Sequence, residues 1–323
     1  LKRLYVAGGQ QAGLRPLMAD TDTWYSYQKG IILEVDPSTQ SVATKLEYVS
    51  PPEACAPNDP ILFKSGSLKG NTLYICTQTE VILYDVPSFT QKGYVSISCF
   101  NDVHHVAPSS RDTLLVANSG LETVLELSYS GDVINEWNVL GEDTWSNFSK
   151  NIDYRHGVNT KPHRSHPNYV FQLGDDVWAT RFHQKDALCV TDPSKRIEIG
   201  GERIHDGVLY NDRLYFTMVN GKIIVANPET LQVEETIDLT SMHPSDVLLG
   251  WCRSLYFEGS NVWVGFSRIR PTKFRENIGW LAHGMRRVLP THIACYDLQA
   301  RKCLMEIDLE KYGLNAVFGI YPV

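Results

Sequence analysis

One pattern returns along this chain of 323 residues: an apolar strand that ends in Asp or Asn, often followed by Pro, then a polar turn and a second strand. It reads ILEVDPSTQSVATKL at 32–46, ILYDVPSFTQKGYV at 82–95, LCVTDPSKRIEI at 188–199, IIVANPETLQVEETIDL at 223–239 and IACYDLQARKCLMEIDL at 293–309, with a looser copy, LELSYSGDVINEWNV, at 125–139. A two-strand hairpin precedes each, as in VFQLGDDVWATRF (170–182), GVLYNDRLYFTMV (207–219) and SLYFEGSNVWVGF (254–266). Gly-Asp-Asp, Asn-Asp and Gly-Ser-Asn supply the positive φ angles that tight hairpin turns require. Each unit is thus four antiparallel strands in roughly 40 residues, the period of a propeller blade.

The units number six. The first stretch, 1–9, is a strand with no inner partner before it, and the last, 315–323, is a strand with no hairpin after it. Paired, they complete one blade and close the ring, which removes the exposed edges that invite aggregation. The expected fold is therefore all-β: one six-bladed propeller domain over 1–323, closed by its terminal strands.

Three segments interrupt the repeat: 10–29 in blade 1, 141–166 between blades 3 and 4, and 268–290 in blade 6. Loops between second and third strands and links between blades rise from the same face, so all three insertions should cover one top face. Ile278, Leu281, Met285 and Val288 fall at helical spacing, which predicts a short lid helix there. Long loops on a rigid scaffold are where function concentrates.

The histidines gather at the starts of inner strands, where a ring converges on its axis. FNDVHHVAP (100–108), SHPNYVFQL (165–173) and IHDGVLY (204–210) carry His105, His166 and His205, and GWCRSLYF (250–257) carries Arg253. Aligned on the second strand, His105 matches Asn168, His205 and Arg253, with His166 two residues earlier. One reading is a divalent metal site of His105, His166 and His205, with Asp102, Asp206 or His104 as a fourth ligand or an orienting partner. Imidazoles suit Zn, Fe or Cu, and carboxylates would shift the choice toward Ca. The other reading is acid–base chemistry without metal by His105, His205, His104 and Asp206, with Arg253 stabilising negative charge.

Arg181, Arg253 and Arg268 at the upper strand ends, with Arg155, His163 and Arg164 in the long link, give local positive character to a chain of net charge −7. Guanidinium groups hold carboxylate or phosphate bidentately, so a small anionic substrate is expected. Asn168, Tyr25, Tyr27 and Trp280 are further candidates to line its pocket, and Trp178 and Trp263 read as blade core. The acidic balance argues against nucleic acid or an anionic membrane as a general partner. No apolar run approaches the ~20 residues of a membrane span. The absence of G-x-G-x-x-G, Walker A, H-E-x-x-H and G-x-S-x-G leaves nucleotide, flavin, zincin and α/β-hydrolase readings without support. Seven cysteines without a C-x-x-C pair, Cys76, Cys189 and Cys295 among them inside apolar strands, read as buried thiols in a reducing, cytoplasmic compartment.

Six blades with polar inner-strand ends resemble the propellers of the strictosidine synthase, gluconolactonase and paraoxonase type. Those families bind calcium through Glu, Asn and Asp at the channel, whereas His, Asn, His and Arg stand at the matching places here. The DVHHV, HDGV and GWCRSL…VWVGFSRIRPTKFREN stretches are similar to a group of uncharacterised bacterial propellers. The functional expectation is an enzyme of lyase, cyclase or hydrolase type acting on a small anionic molecule at the top-face channel; the alternative is a scaffold that binds a peptide or glycan there.

Overall fold

A computed structural model describes residues 1–12, 27–269 and 287–323. It is a six-bladed β-propeller. Five of the four-stranded sheets run in chain order from an inner to an outer strand: blade 2 from Gly66–Lys69 to Thr90–Val95, blade 3 from Val103–Pro108 to Val133–Asn138, blade 4 from Pro167–Leu173 to Arg196–Glu198, blade 5 from Ile204–Tyr210 to Val233–Asp238, and blade 6 from Trp251–Glu258 to Lys302–Asp308. Blade 1 takes its inner strand from the other end of the chain: Ala316–Pro322 pairs antiparallel with Leu4–Gln11. The orphan strands close the ring as their placement requires.

Period-two alternation builds the core. Leu4 and Val6 face blade 6, where they meet Trp263, Ile293 and Cys295. Tyr5 and Ala7, one residue out of phase, face blade 2 and its Leu73, Ile75 and Ile82. Each of the six interfaces between neighbouring blades carries such an apolar cluster. Trp178 and Trp263 lie buried in two of them, as expected of blade core. All seven cysteines are free thiols, with Cys76, Cys189 and Cys295 buried. Turn chemistry also follows the residues: Asn211 and Asp212 both hold positive φ (45° and 56°), the signature of a type I′ hairpin.

Of the insertions, 13–26 and 270–286 lie outside the described residues, and with them most of the expected lid helix. Its last position, Val288, is extended and pairs in parallel with Leu248. The 141–166 link is described. It packs over the blade 2–3 connection, where Tyr154 N–H donates to Ser98 O and Asn101 Nδ2 donates to the carbonyls of Tyr154 and Val158. It also reaches the blade 1–2 link, where Gly157 N–H meets Asp59. Among the described residues no helix is long and apolar enough to cross a membrane.

Closure leaves no room at Gly8. A Cβ there would stand 1.7 Å from the carbonyl oxygen of Ala316, which is backbone of the closing strand. Gly8→Ala should therefore destabilise the chain by about 1–3 kcal/mol, the usual cost of overpacking. Denaturant unfolding of the two proteins checks this, and equal midpoints would show that the terminal strands are not held in this register.

Candidate functional site

The inner strands are not regular. Register slips between Val103 and His105, Pro167 and Tyr169, His205 and Val208, and Arg253 and Leu255. His104, Asn168, Asp206 and Ser254 are thus bulge residues. Because side chains alternate, a one-residue slip turns everything beyond it to the other face. The structural alignment accordingly places Asp102 with His166, His104 with Asn168, and His105 with Tyr169. Asp102, His166, Asp206 and Ser254 all hold positive φ, between 50° and 65°. That conformation is uncommon for residues with a Cβ and gathers at functional sites.

This corrects the expected histidine triad. His105 lies beyond its bulge, fully buried, with its ring stacked on Tyr169 at 3.7 Å between centroids. Its Nε2–H donates to Gly66 O at 3.2 Å, and its Nδ1 accepts from Val170 N–H at 3.2 Å. Both nitrogens are spent, and burial pushes the imidazole down to about 3. His105 joins blades 2, 3 and 4 below the mouth; it does not share a ligand set with His166 and His205.

What converges instead is Asp102, His163 and His166, whose ligand atoms all lie within 4.8 Å of one another. His163 comes from the long link, three residues before His166. The two rings stack at 4.9 Å with Nδ1 atoms 2.6 Å apart, so one nitrogen donates and the other accepts. Asp102 Oδ2 is 3.8 Å from His163 Nδ1. Its Oδ1 is held by Lys64 Nζ, on a side chain that is 1% exposed. His104 stands edge-on to His166 at 4.4 Å. Its Nδ1 faces the Asp102 carbonyl at 2.8 Å and therefore carries the hydrogen, which leaves Nε2 as the lone-pair nitrogen. Lys64 and His163 escaped the sequence reading as members of the set, although the His-x-x-His spacing of 163 and 166 was visible.

Glu122 sets the loop that carries these rings. Its carboxylate accepts the backbone N–H groups of Arg164, Ser165 and His166, the last at 2.8 Å. Ser119, in the same turn, contacts His104 Nδ1 at 3.0 Å and donates to Pro167 O. A single turn of blade 3 thereby positions His104 and the start of blade 4 together.

Burial dominates the electrostatics. It depresses His104, His166 and His205 well below the ordinary imidazole value, with Lys64 adding to the effect at His104 and His166, and Arg253 at His205. His163 is lowered by burial against the pull of Asp102 and Glu122. Burial alone would raise Asp102, but Lys64 and the imidazoles override it and hold the carboxyl well below its usual range. Lys64 is itself lowered by burial, against Asp102. The cluster at neutral pH is therefore a set of neutral imidazoles around a buried ion pair.

The other expected residues divide. His205 stands beside the cluster behind Phe182, whose ring is 5.3 Å from His205 and 5.4 Å from His166. Its Nε2 accepts from Trp251 Nε1 at 3.4 Å. Arg253 lies over Phe318 at 4.4 Å and Trp251 at 5.5 Å. Asn168 and Asp206 act as clasps to the next blade. Asn168 accepts from Thr180 Oγ1 and donates to Ile204 O; Asp206 accepts from Thr217 Oγ1 and from Ser254 N–H. Arg181 is committed to a buried pair with Asp186 and to Val139 O. Arg268 pairs with Glu310, Arg164 with Glu142 and Arg155 with Asp153. Tyr27 is buried against Leu62, Ala316 and Phe318. Tyr25 and Trp280 lie outside the described residues.

Fold and site together define a six-bladed propeller with a histidine cluster gathered at the inner-strand starts of blades 3 and 4. Among solved structures it is similar to a protein of unknown function from Bacteroides caccae, with a TM-score of 0.64 at 11% identity over 100% of this chain and 99% of that one. A chain of a nidogen–laminin complex superposes with a TM-score of 0.56 at 8% identity, covering 98% and 97%. Virginiamycin B lyase from Staphylococcus aureus aligns over 72% of this chain and 69% of its own, with a TM-score of 0.46 at 12% identity. Likeness at these identities is one of fold. No family model and no curated protein matches the chain.

Asp206 offers a direct test of the clasp. Burial pushes its carboxyl up to about 6, against its hydrogen bonds and Arg253. The folded chain then holds a proton that the unfolded chain, with an ordinary value of about 3.9, has released, so stability falls as pH rises from about 4 to about 6. Roughly two units correspond to about 3 kcal/mol at pH 7. Asp206→Asn keeps an acceptor for both donors, removes that falling limb and should raise stability at pH 7 by about 1–3 kcal/mol. Urea unfolding across that pH range measures it; an unchanged slope would mean that Asp206 does not titrate in the folded chain as argued.

Proposed function

We propose that this propeller is a metal-assisted enzyme that acts on a small anionic molecule at its top-face mouth. The observation that carries the reading is the convergence of Asp102, His163 and His166 within 4.8 Å. Two imidazoles and one carboxylate are the donor set of catalytic centres, which keep positions open for water or substrate. Nδ1 of His163, Nδ1 of His166 and Oδ2 of Asp102 are the ligand atoms. Lys64 fixes the second carboxylate oxygen, as supporting partners of metal ligands do. Ligand nitrogens on a tetrahedral ion with bonds of about 2.0–2.1 Å stand about 3.3 Å apart, so loading would spread the two rings slightly.

Two imidazoles against one carboxylate favour Zn, Fe or Cu over Ca. An ion there supplies Lewis acidity to a bound oxygen. His205, which stands beside the cluster across Phe182, is the candidate to take up a proton from substrate. Arg253 offers a guanidinium to the anionic group. Lyase, cyclase and hydrolase reactions all fit this equipment, since none needs an organic cofactor.

Loading with Zn²⁺ followed by elemental analysis tests the reading. His166→Ala should lower retained metal by one ion per chain and abolish turnover of whatever small carboxylate or phosphate a substrate panel identifies. His105→Ala should keep that ion yet lose about 3 kcal/mol of stability, as expected when a buried ring is removed. If His166→Ala retains the same metal as the unaltered chain, the proposed ligand set is wrong, and the mouth is better read as a binding surface for a peptide or glycan.

A further inference from the structure

A second group of metal-ligating residues lies far along the blades, where the link out of blade 5 meets the outer strand of blade 6. That strand, Lys302–Asp308, pairs with His292–Asp297, and its register slips between Cys295 and Tyr296 so that Leu304 has no partner. In a regular strand Cys303 and Glu306, three residues apart, would point to opposite faces. The bulge puts both on one face: Cys303 pairs with Tyr296 and Glu306 with Ala294. Tyr296 and Ala294 both belong to the core between blades 5 and 6, and Cys303 packs against it. Leu304, the displaced residue, is 47% exposed.

His243 enters this face from the link with a side chain only 7% exposed. Its Nε2 is 2.9 Å from Tyr296 Oη and its Nδ1 is 3.3 Å from Glu306 Oε1. Ligand atoms of His243, Cys303 and Glu306 all fall within 4.8 Å of one another. An independent observation points to a missing ligand at the same interface. His292 is 2% exposed and its Nδ1 donates to Pro290 O at 2.8 Å, so Nε2 bears a lone pair, and that nitrogen is buried with no hydrogen-bond partner. His292 stacks on Phe266 of the same core, two residues before Ala294 and four before Tyr296, on the face they share.

We propose that His243 Nδ1, Cys303 Sγ and the Glu306 carboxylate bind a divalent ion of borderline softness, Zn²⁺ above all, which ties the blade 5–6 link to the outer strand of blade 6. Thiolate, imidazole and carboxylate are the ligands zinc takes, and a water completes four-coordination. On binding, Cys303 releases its thiol proton to solvent. Nδ1 of His243, which donates to Glu306 in the metal-free chain, releases that proton to solvent and ligates the ion, while Nε2 takes up a proton from solvent and donates to Tyr296 Oη. Such a site adds a tie between the link and the outer strand to the backbone pairing of Val247 and Leu248 and the packing of Val247 and Leu249 that already hold the link.

Titration of the metal-free full chain with Co²⁺ tests this apart from the mouth, because the ligand set at the mouth contains no sulfur. A thiolate-to-cobalt charge-transfer band should grow to one equivalent, vanish in Cys303→Ser and persist in His166→Ala. Glu306→Gln, at a side chain 41% exposed and so safe for folding, should weaken the band's half-saturation by at least about 10-fold, since losing a ligand costs no less than losing a supporting group. Absence of the band from the unaltered chain, or its survival in Cys303→Ser, would overturn the proposal whatever the mouth binds.

Discussion

An inner strand of regular pleat would hand its side chains alternately to the blades on either side and offer nothing but backbone to the axis. The bulges in blades 3 to 6 break that alternation just where the strands converge. In blades 4 and 5 the bulge residue, Asn168 or Asp206, turns to the neighbouring blade. The positive φ of Asp102, His166, Asp206 and Ser254 is the local cost, about 1–3 kcal/mol for each such residue. The clasps offset it. Asn168, Asp206 and Ser119 each reach the next blade's backbone, so the same irregularity that builds the mouth also stitches the ring.

Those stitches explain how so polar a cluster survives burial. A carboxylate and an ammonium withdrawn from water are tolerable only when paired and hydrogen-bonded. Lys64 and Asp102 satisfy this with each other, and Glu122 satisfies it with three backbone N–H groups. Glu122 carries out the task of a helix N-terminus without a helix: it fixes consecutive amides, and with them the ring of His166. The geometry of the mouth therefore depends on blade 3 more than on the loops above it.

The repeat, the closing strands and the turn residues were legible because each has a local cause. Asn211-Asp212 demands its turn, and an unpaired strand at each end demands a partner. That polar residues gather at inner-strand starts was legible too. Which of two adjacent histidines faces the mouth was not. In DVHHV the bulge falls on His104, and nothing in the residue types says so; a slip of one position exchanges His104 with His105. Lys64 was hidden for another reason. It precedes a blade 2 inner strand of only four residues, Gly66–Lys69, which carries no hydrophobic run long enough to align. His163 sat in a link with no period at all, and only its spacing from His166 pointed inward.

Burial without protonation is the property that separates this mouth from ordinary polar lining. A surface histidine near neutral pH is partly charged and repels its neighbours and any cation. Here burial holds His104, His163, His166 and His205 on the neutral side, and the buried Lys64 beside them is paired with Asp102. Lone pairs rather than N–H⁺ groups therefore face one another, and the closest pair, His163 and His166, is reconciled by a single shared proton. A cation that replaced that proton would meet two nitrogens and a carboxylate already gathered. The ordering that usually opposes ion binding is thus carried by Glu122, Ser119 and Lys64 in the folded chain.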